Sequence, residues 1–140
     1  MNTSALSVSV TARLLHSDAR TVRYLLGAGQ LAGRRSPHHW IILRSDLERF
    51  VADVCARHGV TVYALTPTAL LTVAEVAVAL GRSARTIRLQ AQRRHLPAFK
   101  IGRTWRFWRE DIIKHNTVAD MLATPASKMV ASSVIERVDL

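Results

Sequence analysis

The sequence predicts a mainly α fold with small β wings, an α+β chain of two tandem modules closed by a short C-terminal tail. Three observations carry this. The chain repeats itself at a displacement of 65 residues without a gap. Each copy opens with two short segments separated by turn chemistry, and the second copy then changes to a period of two. At 140 residues the chain suffices for one ordinary domain or two very small ones, and two such cores are marginal separately.

The repeat is densest where SDARTVR, residues 17–23, lies over RSARTIR, residues 82–88. It extends from Val8 over Val73 to Asp46 over Asp111, and includes Ala12 over Ala77, Leu15 over Leu80 and Trp40 over Trp105. Eleven identities accumulate between residues 8 and 50, where chance pairing supplies roughly three. The expected organisation is a diverged module over 1–58, a linker over 59–70, a clearer module over 71–116 and a tail over 117–140.

In the second copy, Val73, Val76, Ala77 and Leu80 recur at helical spacing, with Thr72 placed to cap the start and Gly81 to mark the end. Ser83 caps a second helix running to about Arg94. Its apolar face is Ala84, Ile87 and Ala91, and its opposite face is Arg85, Arg88 and Gln92. A short helix, a tight turn and a basic second helix make a helix-turn-helix. In the first copy Asp18 stands where Ser83 does, and His16, which tolerates positive φ better than most residues, stands for Gly81.

After Leu96-Pro97 the alternation around Gly102-Arg103 predicts a hairpin over 98–101 and 104–108. Phe99, Ile101, Trp105 and Phe107 are expected to face the helices, with Lys100, Arg103, Thr104 and Arg106 outward. The first copy has RRSPHHWII in this place, with no Gly-Arg corner and with Pro37 removing a strand amide. A helix follows each hairpin. That of the first copy opens with Ser45-x-x-Glu48, a capping-box pattern, and continues to Gly59. In the tail, Val118, Met121 and Leu122 and then Met129, Val130, Val134, Ile135 and Val138 are spaced for one or two short helices. These are expected to pack on the modules or meet a partner chain.

The net charge is +10, and the sequence pI of about 11.4 points to a polyanionic partner. Residues 1–65 hold eight arginines against four acids, residues 66–116 hold ten Lys/Arg against three, and the tail is near neutral. The charge therefore sits in the segments expected to fold. No apolar run reaches the ~20 residues of a membrane span, no secretory signal opens the chain, and the single Cys55 suits a reducing cytoplasm. The pair His38-His39 has no Cys or carboxylate at ligand spacing and is read as a solvated loop, so no metal or cofactor is expected. Asp46 and Asp111 are read as helix-start carboxylates rather than catalytic acids. With no nucleophile–base set and no phosphate-cradling loop, an enzyme is not expected.

The string TVAEVAVALGRSARTIR followed by LPAFKIGRTWRFWREDI resembles the excisionase-type winged helix-turn-helix family, a branch of the MerR-like DNA-binding proteins of phages and mobile elements. The resemblance covers about 71–115, and residues 8–50 look like a diverged copy. It implies that the second helix enters a major groove of double-stranded DNA while the wing lies over the neighbouring minor groove or backbone. It also implies a role as a recombination directionality factor, bending DNA beside an integrase, in a bacterial or phage-encoded cytoplasmic setting. The residue chemistry agrees independently. Arg85 and Arg88 suit guanine edges or phosphates, Gln92 suits adenine, and Arg103 at a narrow tip suits a minor groove. Arg20, Arg23 and Tyr24 occupy the matching surface of the first copy, Thr21 and Thr86 suit phosphates, and Lys100 and Arg106 are expected on the phosphate-facing side of the wing.

Tandem copies allow a direct-repeat target with half-sites ~34 Å apart, spanned by a linker reaching roughly 40 Å, or an inverted repeat if the copies pack about a pseudo-twofold axis. Homo-oligomerisation on DNA remains compatible with either. The rival functions are a transcriptional regulator on the same fold and, from another class, a protein-interaction scaffold.

Overall fold

The computed structural model describes residues 4–123, with side chains through 117. It is mixed α and β, with six helices and two small antiparallel sheets among the described residues. The first half runs β1 (Ala5–Leu6), α1 (Val8–Leu14), α2 (Ala19–Gly27), β2 (Arg34–Arg35), β3 (Trp40–Leu43) and α3 (Arg44–His58). The second runs β4 (Leu70–Leu71), α4 (Val73–Leu80), α5 (Ala84–Gln92), β5 (Phe99–Ile101), β6 (Thr104–Trp108) and α6 (Arg109–Ala123).

The 65-residue displacement carries through to hydrogen bonding. β1 pairs with β3 as Ala5 with Leu43 and Leu6 with Ile42, and β4 pairs with β6 as Leu70 with Trp108 and Leu71 with Phe107. The hairpins share their register too, Arg35 opposite Trp40 and Lys100 opposite Trp105. The Arg44 amide donates to Ser4 O at 2.8 Å, and the Arg109 amide donates to Ala69 O at 2.8 Å. β1 and β4 are too short for a periodicity to reveal. Each adds a third strand, in orders β1-β3-β2 and β4-β6-β5.

Local chemistry fixes the helix ends. Ser7 Oγ accepts from the Val10 amide, and Thr72 and Glu75 form a reciprocal capping box. Asp18 Oδ1 accepts from the Thr21 amide at 2.8 Å, and Ser83 Oγ from the Thr86 amide at 3.1 Å. Both turns need a left-handed residue, supplied by Gly81 at φ +65° and by His16 at +51°. The expected box at Ser45 and Glu48 does not form. Helix α3 begins two residues earlier than that box requires, Leu43 occupies its cap without a side-chain bond, and Glu48 accepts instead from Arg44 Nε at 3.2 Å. Asp46 and Asp111 do lie in the first turns of α3 and α6.

The second sheet has two apolar faces. A two-residue turn puts Ile101 opposite Thr104, Lys100 opposite Trp105 and Phe99 opposite Arg106. Directly paired residues share a face, so Phe99, Ile101, Arg106 and Trp108 lie together, and Lys100, Trp105 and Phe107 lie on the other side. The expected division, with Phe99, Ile101, Trp105 and Phe107 together, is incompatible with that register. Phe107 joins Leu71, Val76, Ile87, Ala91, Leu96 and Ile112 in the second half's own core. Phe99, Ile101, Leu70 and Trp108 instead join Leu15, Val22, Leu47, Phe50, Val51, Val54 and Cys55 of the first half.

The stretch expected to be a linker is fastened down as well. Leu65 is buried in the shared core, Arg44 Nη2 donates to its carbonyl, and Tyr63 Oη donates to Asp111 Oδ1 at 2.7 Å. Tyr63 also meets the edge of Trp108, their ring centroids 5.6 Å apart. Of the expected tail, residues 117–123 continue α6, whereas Pro125 and the apolar positions from Met129 onward lie outside the described residues.

Because Trp108 is buried between the halves, Trp108→Ala should cost about 3–5 kcal/mol of unfolding free energy. Urea unfolding of the wild type, followed by tryptophan fluorescence and far-UV circular dichroism, should show one coincident transition. Separate transitions for the two halves would contradict the shared core.

Candidate nucleic-acid interface

Helix α2 buries Val22, Leu25 and Leu26, and α5 buries Ile87 and Ala91. Their opposite faces point outward. Arg20, Arg23 and Tyr24 on α2 are exposed, as are Arg85, Thr86, Arg88 and Gln92 on α5, while Thr21 is half-buried. Tyr24 is 61% exposed, a large aromatic left in water on a cationic helix. The ion pairs among the described residues are His16–Glu75, Arg44–Glu48 and Arg49–Asp46, so no arginine of α2 or α5 is neutralised by one.

On the wing of the second half, Lys100 and Arg103 are exposed. Lys100 Nζ sits 5.1 Å from the Trp105 ring centroid, and Arg35 Cζ sits 5.4 Å from that of Trp40. Each cation is thus steadied over an aromatic face. Arg35 was not among the expected contacts, although the 65-residue displacement from Lys100 points to it. Arg94 follows the end of α5. It is exposed in the left-handed region at φ +62°, where the first half has Gly29 at +77°.

Arg106 does not belong to this surface. It is 7% exposed. Its Nε donates to Leu15 O at 3.2 Å and His16 O at 3.0 Å, its Nη2 to His16 O at 2.6 Å, and its Nη1 to Trp105 O at 2.8 Å. Its register places it beside Phe99 on the face that meets the first half, so its donors serve the carbonyls that end α1. Burial pushes its pKa down, opposed by the nearby charges of Glu75 and Asp18. His16 Nε2 meets Glu75 Oε1 at 2.8 Å across the same junction.

The two halves therefore bring α2 and the second wing together. Arg20, Thr21 and Tyr24 line a cleft of about 380 Å³ with Ile101, Gly102, Arg103 and Thr104. A second cleft of about 520 Å³ joins Arg23 to Arg35, His38, His39 and Trp40 of the first wing. His38 and His39 are exposed loop residues, as expected. Among the described residues no group of three His, Cys, Asp or Glu is arranged to hold a metal, and no helix is long and apolar enough to cross a membrane.

Residues 70–115 match the family model of the helix-turn-helix domain. The match spans β4 through most of the described side chains of α6 and includes α4, the turn at Gly81, α5 and the wing. A helix-turn-helix domain supports sequence-specific binding of double-stranded DNA. Searches of curated proteins and of solved structures each found no match.

Replacing Arg106 by alanine leaves the Leu15 and His16 carbonyls without their donor and should cost about 1–3 kcal/mol in denaturant unfolding. The Thr21 amide holds the Asp18 carboxyl below its usual 3.8, followed by the Thr21 side chain; burial opposes them, and Arg20 and the Asp18 backbone add smaller lowering. Asp18 therefore contributes stability at higher pH that is lost as pH falls through the lowered pKa. Asp18→Asn, which keeps an acceptor without a titrating proton, should flatten that acid limb in a stability–pH profile.

Proposed function

We propose that the chain is a double-stranded DNA-binding protein of excisionase type, made of two tandem winged helix-turn-helix modules that act beside recombination sites and assist a partner integrase. The observation that carries it is a pair of exposed, un-ion-paired cationic helix faces, Arg20 and Arg23 on α2 and Arg85 and Arg88 on α5, at matched positions of two repeats. The match over 70–115 supports the DNA-binding part, and the resemblance of that stretch to excisionases supports the recombination part.

In this reading α5 enters a major groove, with Arg85 and Arg88 at guanine edges or phosphates and Gln92 at adenine. Helix α2 presents Arg20, Arg23 and Tyr24 to a second groove segment. Thr21 and Thr86 lie near phosphates, while Lys100 and Arg103 cover the backbone or minor groove. Arg106 is omitted, its donors being spent inside the fold. The spacing of the two half-sites is set by the packed second sheet rather than by linker reach.

Affinity for duplex DNA should fall steeply with salt, and Arg85→Ala/Arg88→Ala or Arg20→Ala/Arg23→Ala should each shallow the log–log salt slope by about one to two. Titration by fluorescence anisotropy reads this, and a wild-type slope near zero would remove the DNA-binding reading. Sequencing the genomic fragments the protein retains separates its two biological roles. Fragments at attachment sites are expected for an excisionase, whereas promoter fragments would make the chain a transcriptional regulator.

A further inference from the structure

Resting on the DNA-binding reading, we propose that the cleft between α2 and the second wing is a composite site for one phosphate of the DNA backbone, so that the wing of the second half serves the helix of the first. The cleft is built from both halves, with Arg20 and Arg103 at its walls and Tyr24 beside them. All three side chains are exposed, and none joins an ion pair among the described residues. Two guanidinium groups converging on an open cleft of about 380 Å³ match a tetrahedral monoanion on a polymer surface.

The wing is held against α2 by contact rather than by chance of orientation. A Cβ on Gly102 would stand 3.1 Å from Thr21 Cγ2, and the φ of +63° at Gly102 independently favours glycine. Arg106, three residues past Arg103, is hydrogen-bonded to the carbonyls just before α2. The tip is therefore pinned from below and in contact above. The Thr21 amide already donates to Asp18 Oδ1, so the donors left for a phosphate are side chains, Arg20, Arg103 and the Tyr24 hydroxyl. The Thr104 hydroxyl donates to Ile101 O at 3.2 Å and shapes the tip instead.

The test uses the full chain on the duplex fragment it binds most tightly, with ethylation interference mapping the phosphates in use. Arg20→Ala and Arg103→Ala should each weaken binding about tenfold, and the double variant should weaken it well short of the hundredfold that independent contacts give. Both single variants should lose interference at one and the same phosphate, within the half-site that Arg23→Ala weakens. The proposal is overturned if the Arg103 phosphate falls in the half-site weakened by Arg88→Ala, or if the two losses multiply. Either result leaves DNA binding itself standing, whereas a wild type that fails to bind duplex DNA overturns both. Circular dichroism melts of the surface variants should match the wild type, and a lowered midpoint for Arg103→Ala would make its effect structural and overturn the proposal as well.

Discussion

Much of the architecture depends on a three-stranded sheet that is apolar on both sides. Small hairpin wings ordinarily bury one face and expose the other, but β4-β6-β5 covers its own helices with Leu71 and Phe107 and the preceding half with Leu70, Phe99, Ile101 and Trp108. Arg106 is the buried polar residue on the second of these faces, Thr104 at the tip being exposed. Its guanidinium is tolerated there because it meets the carbonyls that end α1, groups that would otherwise need donors of their own. Removing those carbonyls from water and supplying the donor from the neighbouring half ties the first turn to the second wing.

The same constraint accounts for how the two copies differ. The face that carries Phe99, Ile101, Arg106 and Trp108 in the second half carries Arg34, Ser36, Ile41 and Leu43 in the first, where no element of the described residues covers it. Helix α3, which receives the second sheet, offers Phe50 at 7% exposure and Val51 at 1%, whereas α6 has His115 and Asn116 at those places. In the first half the Asp18 cap, the left-handed turn residue His16 and the exposed arginines of α2 are nonetheless kept.

Much of this was legible in the residues. The caps at Thr72, Asp18 and Ser83, the turn glycine and its histidine counterpart, and the buried face of α5 follow from local hydrogen bonding and 3.6-residue periodicity, which act within a few residues. The three-residue-apart pattern at Ser45 misled, because capping depends on where the preceding strand ends, and β3 runs straight into α3. The faces of the wing differ from the expected ones for another reason. Alternation along each strand does not fix faces across a hairpin, which are set by register, and the two-residue turn at Gly102-Arg103 places Arg106 beside Phe99. The junction of the halves was not legible, since Leu65 and Tyr63 in an apparent linker and the two-residue strands β1 and β4 show their roles only when the distant partner is present.

The shared core displays the two cationic helices on one rigid body and not on modules joined by a tether. Spin labels at Ala28 and Arg93, just past the ends of α2 and α5, with Cys55 replaced by alanine, report it through pulsed electron–electron distance measurement. A single narrow distance distribution, unchanged on adding duplex DNA, is the predicted result. A broad distribution in the free protein that sharpens only on DNA would contradict it.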